Sequence, residues 1–185
     1  MEQDPSSPVT LLTTFDLASG DIPEQNIPLS EVFEQARALN LDVCVVPSGE
    51  GKDGYWTSVL DGLSVVARSM NVSDPRRMRL FFGDLHLEDI RSWRENKFKE
   101  ANYRCSFPLF NTPYPDLAAA MFGPSAQRLG ARYFFSAVNN PGVGFKVGDE
   151  ITMEVMEQHL MKSEKVDPFG ESGEYHSVVR FAESL

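Results

Sequence analysis

The chain has 185 residues, 42% of them hydrophobic, and a formal net charge of −10. That length and composition fit one soluble domain with its own core, and the acidity excludes a protein that grips nucleic acid chiefly by neutralising phosphates. No apolar run approaches the roughly 18–20 residues needed to span a bilayer, and the start MEQDPSSPV lacks the basic-then-apolar order of a signal peptide, so a cytoplasmic protein with no membrane contact is expected.

In chain order, the β-branched run VTLLTTF (Val9–Phe15) predicts a buried strand ending at Asp16. SEVFEQARAL (Ser30–Leu39) predicts a helix with Ser30 as its N-cap and Val32, Phe33, Ala36 and Leu39 on one face. Asp42–Val46 reads as a second strand, 47–54 as a loop, and Trp56–Met70 as a helix burying Val59, Leu60, Leu63, Val66, Ala67 and Met70. Arg79–Phe82 is a third strand, closing on Gly83 and Asp84. A helix follows to about Ala101, its stripe made by Leu87, Ile90, Trp93 and Phe98.

Tyr103–Phe110 reads as a short strand, Pro115–Phe122 as a helix, ARYFFSAV (Ala131–Val138) as a strand, Thr152–Leu160 as a helix and Tyr175–Phe181 as a last strand. Strands alternating with helices predict an α/β fold with a mainly parallel sheet. The two cysteines, Cys44 and Cys105, lie in apolar runs without metal-ligand spacing and read as reduced, packed thiols. Trp56 and Trp93 read as wholly or partly buried helix residues, and His86 and His159 as helix-surface residues. Three scattered histidines make no zinc pattern, and no GxSxG elbow is present.

Two places carry possible chemistry. Asp84, in FFGD, stands at the carboxyl end of a strand and before a helix, where ligands of open α/β sheets collect. It suits either a magnesium ligand or a plain helix cap. In VDPFGESGEYHS (166–177), Glu171 and Glu174 surround Gly173, a backbone free enough to let carboxylates converge on a cation or an amine. A solvated turn before an edge strand accounts for the same residues. Tyr175 and His176 alternate across that strand, so at most one of them faces a given site.

Taken in order, VTLLTTFD, FFGDLHLEDIRSWRE, SFPLF and VDPFGESGEYHS resemble the diphthine–ammonia ligase (diphthamide synthase) family of PP-loop ATP pyrophosphatases. The spacing GDLxxEDxR followed by DPxGExGEYH is the most specific part. The resemblance implies a three-layer α/β/α sandwich of HUP type, with a nucleotide-binding part over 9–102 and a substrate-side part over 103–185 of one domain. It implies ATP with Mg2+, activation of diphthine on translation elongation factor 2 as an acyl-adenylate, and displacement of AMP by ammonium-derived ammonia. Carried onto matching positions, Asp84, Glu171 and Glu174 would be catalytic, with Asp84 also the Mg2+ ligand. Glu88, Arg91, Gly173, Tyr175 and His176 would face substrate, and Gly83, Thr14 and Phe15 the nucleotide.

Members of the family begin with a strand, an SGGKDS loop and a helix, roughly 30 residues in such units, whereas eight residues precede Val9 here. The expected sheet therefore lacks its usual first strand, and three resolutions are open: strands 9–15 and 79–82 pair directly, another chain fills the gap, or the sequence is a shortened product. SGEGKDG (48–54) resembles the missing loop only superficially, because Glu50 separates its glycines and would repel phosphates. It is read as a variable loop. The function reading is thus an ATP-dependent amide ligase domain, against a non-catalytic protein-binding form and a small-molecule-binding HUP protein of other function.

Overall fold

The computed structural model describes residues 7–182, which divide into two compact units, 7–73 and 74–182. In the first, strand β1 (Thr10–Phe15) leads through a small antiparallel hairpin, β2 (Asp21–Ile22) and β3 (Ile27–Pro28), into helix α1 (Leu29–Ala38). Strand β4 (Asp42–Pro47) then returns parallel to β1, Thr10 opposite Asp42 and Phe15 opposite Pro47. This is a βαβ unit, the product expected where an apolar strand, an amphipathic helix and a second apolar strand follow one another.

Ser30 is not the cap expected of it. The N-cap is Pro28, and the first helical N–H, on Leu29, donates to the Gly20 carbonyl at 3.1 Å. The hairpin thus supplies the acceptor that a Ser side chain would otherwise provide. Helix α2 (Gly51–Ser69) begins earlier than the apolar stripe alone indicates, within SGEGKDG itself, and buries Val59, Leu63 and Val66. It lies against β1 and β4 at Gly62, where an added Cβ would stand 2.6 Å from Leu12 Cδ1 and 3.3 Å from Val46 Cγ1. Close approach of helix to strands is the reason for glycine there.

In the second unit, β5 (Arg79–Phe81), α3 (Glu88–Glu100) and β6 (Arg104–Ser106) form another parallel βαβ unit. Of the expected stripe on α3 only Phe98 is buried; Trp93 is 36% and Ile90 37% exposed. Helices α4 (Tyr114–Met121) and α5 (Pro124–Arg128) lead to β7 (Arg132–Val138), which sits between β8 (Glu150–Ile151) and β9 (Tyr175–Arg180) in an antiparallel sheet. A single α turn, α6 (Met153–Val155), runs into a π-helical turn, Met156–Leu160, before the loop to β9.

The fold is therefore mixed α/β, and its sheets are small and of both kinds, not mainly parallel. Parallel pairing needs a full crossover between strands. Between β7 and β9 there are the two-residue strand β8, a single turn of helix, a π turn and turn-rich loops, and β7 pairs antiparallel with both β8 and β9. Strand β1 pairs with β4 within the first unit, and β5 with β6 within the second.

The core of the second unit is built by Phe135, Ile151, Met156 and Leu160, each at most 2% exposed, with Ala118, Val143, Val166 and Tyr175. Burial of such large side chains contributes roughly 1.5–3 kcal/mol each. Ser136 is the extra residue of a β-bulge, since Phe135 opposes Ser177 but Ala137 opposes His176. Beyond the bulge Val138 pairs with Tyr175, which sets where the preceding loop enters the sheet.

Gly62→Val tests the close packing of α2: it is expected to lower unfolding free energy by roughly 1–3 kcal/mol in urea titrations, with the secondary-structure content of the folded state retained.

Candidate functional site

The site is built on the loop 166–174, whose backbone is folded by its own carboxylates. Asp167 Oδ1 accepts the N–H of Phe169 at 2.8 Å and of Glu171 at 3.1 Å, closing an Asx turn around Pro168. Glu174 Oε1 in turn accepts the Asp167 N–H at 2.8 Å. The Glu174 carbonyl takes the N–H groups of Asn139 and Asn140, at 2.8 and 3.0 Å, at the end of β7. Asn139 Nδ2 also donates to the Gly173 carbonyl at 3.0 Å.

Two glycines make this path possible. Gly170 has φ +70°, and an added Cβ would stand 2.5 Å from the Tyr175 carbonyl oxygen; Gly173 has φ +83°. Tyr175 is buried, packs edge-on against Phe135 at 4.9 Å, and donates its hydroxyl to the Pro168 carbonyl at 2.5 Å. It is a core residue that pins the loop, and burial first, then the nearby Asp167 and Glu174, pushes the pKa of its phenol up. His176, across the strand from it, is half-buried and pairs opposite Ala137.

Glu171 reaches from this loop to the Gly83–Leu87 segment before α3, where its Oε1 accepts the Leu85 N–H at 3.1 Å. The two motifs far apart in sequence are therefore joined by one bond. Burial is the main reason that the Glu171 carboxyl titrates above its ordinary 4.5; the Leu85 N–H and His86 act against the shift, while Asp84 and Asp167 reinforce it.

Tyr114, the first residue of α4, donates its hydroxyl to Asp167 Oδ2, and His86 Nδ1 lies 2.8 Å from the same hydroxyl oxygen. His86 Nε2 is 3.8 Å from Asp167 Oδ2. Neither Tyr114 nor Asp167 was singled out by sequence reasoning, and His86 is not on the helix surface but in the segment preceding α3. Asp167 carried a signal, an Asp-Pro with glycine three positions on; Tyr114 carried none.

Asp84 caps no helix. The N-cap of α3 is Leu87, and Asp84 Oδ2 stands 3.0 Å from Arg94 Nε, both side chains largely buried. The two atoms approach without the alignment of a hydrogen bond, so charge holds them together. The Arg94 guanidinium lies 4.6 Å from the centre of the Phe82 ring. Arg91 is likewise occupied, by Glu95 at 3.1 Å and by the rings of Phe110 and Phe107 at 4.5 and 5.5 Å. Glu88 is exposed in the first turn of α3, and Gly83 is exposed just before it.

Thr14 and Phe15 belong to the other unit, half-buried at the end of β1, where the Phe15 carbonyl accepts the Ser48 N–H at 2.7 Å. In SGEGKDG, Gly49 and Gly54 press on one another: a Cβ on Gly49 would stand 2.7 Å from the Gly54 carbonyl oxygen. The Gly49 N–H donates to Ser58 Oγ at 3.0 Å. These glycines serve the start of α2.

The donor set does not fit a resident metal ion. Asp84 is neutralised by Arg94, the three loop carboxylates hold backbone N–H groups, and among the described residues no group of three His, Cys, Asp or Glu side chains is disposed around a common point. Both cysteines are free, and burial pushes the Cys44 thiol up and the Cys105 thiol up to about 11, well away from a nucleophile.

Among the described residues no helix is long and apolar enough to cross a membrane. Compared with models of known protein families and with curated proteins, the chain matches none.

Gly170→Ala is expected to destabilise the second unit by roughly 1–3 kcal/mol, read from urea unfolding, because it combines a left-handed φ with a contact on backbone. For Glu171 the sign follows from its raised carboxyl: the neutral form is favoured on folding, so stability falls as pH rises from 4.5 through the higher folded value. Glu171→Gln, which keeps an acceptor for Leu85, is expected to flatten that part of the stability–pH curve.

Proposed function

We propose that this chain is a diphthine–ammonia ligase-like domain, which uses ATP to activate the diphthine carboxylate of translation elongation factor 2 as an acyl-adenylate and passes the acyl group to ammonia. The single observation that supports this reading is the bond from the Leu85 N–H to Glu171, because it brings together the GDLxxEDxR and DPxGExGEYH motifs on which the resemblance rests. A loop lined by Asp167, Glu171 and Glu174 raises the local concentration of a cationic partner such as ammonium. The residues expected to be catalytic then divide in role. Glu171 and Glu174 shape the acidic loop, and Asp84 acts through Arg94 as a positioning residue. ATP with its magnesium is the activating substrate in this scheme, with no metal resident on the protein.

A second reading, a non-catalytic form that docks on a protein partner, is favoured by the same carboxylates seen differently: each already accepts a backbone N–H, as a purely structural clamp requires. Titration calorimetry with ATP and magnesium, followed by an assay for AMP release dependent on diphthine-bearing elongation factor and ammonium, separates the two. Micromolar ATP binding and ammonium-dependent AMP release are expected. No binding at millimolar ATP, with a stable complex to the elongation factor, would reject the ligase in favour of the docking form.

A further inference from the structure

The hydrogen-bond chain Asp167–Tyr114–His86 permits one arrangement of protons. Asp167 is an acceptor at both oxygens: Oδ1 takes two backbone N–H groups and Oδ2 takes the Tyr114 hydroxyl. A phenol has one proton, so toward His86 Nδ1, 2.8 Å away, Tyr114 presents only lone pairs. The proton in that contact must come from the ring. Burial first, then the bond to Asp167, pushes the pKa of the Tyr114 phenol far above its ordinary value, so the phenol stays a donor.

In a neutral imidazole with its proton at Nδ1, Nε2 carries the free lone pair. That nitrogen is on a side chain 38% exposed, and it stands 3.8 Å from Asp167 Oδ2. We infer that His86 is the proton acceptor of this site, its tautomer set by Tyr114 and Asp167 and its Nε2 open to substrate. The charged groups facing it are Asp167 and Glu171, both acidic, so a proton taken up at Nε2 meets opposite charge.

The reaction assigned to His86 rests on the ligase reading. Ammonia attacks the acyl carbon of the adenylate and a C–N bond forms. The C–O bond to the phosphate breaks, its electron pair leaving on AMP, and one proton of the attacking nitrogen passes to Nε2. The products are the amide, AMP and a protonated His86, which returns its proton to water.

Nitrogen-15 NMR of the three imidazoles, with His86→Gln as the assignment control, tests the proton arrangement without any activity. Neutral His86 is expected to carry its proton on Nδ1, and Tyr114→Phe to populate the Nε2–H form. A neutral His86 already protonated on Nε2 in the unaltered protein would overturn the inference. His86→Gln, an exposed substitution, is expected to lower the amide formed per pyrophosphate released by about a hundredfold; an unchanged ratio also overturns it. If the unaltered chain forms no amide at all, the ligase reading falls, and the tautomer measurement decides the acceptor by itself.

Discussion

Asp167 accepts three hydrogen bonds, two from the backbone of its own loop and one from the Tyr114 hydroxyl, and the site of the second unit is arranged around them. A side chain held by two backbone donors cannot rotate without releasing both, so the Asx turn is rigid at its root. From that root Glu174 is anchored back onto the Asp167 N–H, Glu171 is projected onto Leu85, and Tyr114 is oriented toward His86. Removal of the carboxylate would leave two half-buried N–H groups and the Tyr114 hydroxyl without their acceptor, each costing about 1–3 kcal/mol.

Three carboxylates in one loop repel one another, and the structure answers with donors, not with cations. Backbone N–H groups carry partial positive charge in fixed directions, which favours ionised acceptors and needs no counter-ion. Glu171 shows the limit of this compensation: a single N–H from Leu85 does not outweigh its burial, and its carboxyl titrates high. Asp84, a short distance along the chain from Leu85, is balanced differently, by the Arg94 guanidinium stacked on Phe82. The contrast explains why acidic residues of the two motifs do unlike work.

Much of the local structure was legible. The strands at β1, β4, β7 and β9 and the helices α1 and α2 follow from apolar runs and a 3.6-residue stripe, because burial of one face is a local property of the sequence. Caps were less legible. Ser30 and Asp84 have the right chemistry for an N-cap, yet the Gly20 carbonyl beside the hairpin accepts the first N–H of α1, and Asp84 is drawn instead to Arg94 from a later turn of α3. The stripe on α3 was legible only in part for a related reason: Ile90 and Trp93 have helical spacing but each keeps more than a third of its surface in solvent.

The sequence by itself determined the order of the longer strands and helices, the acidity, the packed character of both thiols, and the clustering of glycines and glutamates in 166–177. It did so because propensity, periodicity and charge act over a few residues. Only the tertiary structure decided the direction of β9 against β7, the joining of Glu171 to Leu85, and the meeting of Tyr114, Asp167 and His86. Those depend on how segments dozens of residues apart pack, and no local pattern encodes which donor a buried carboxylate will find.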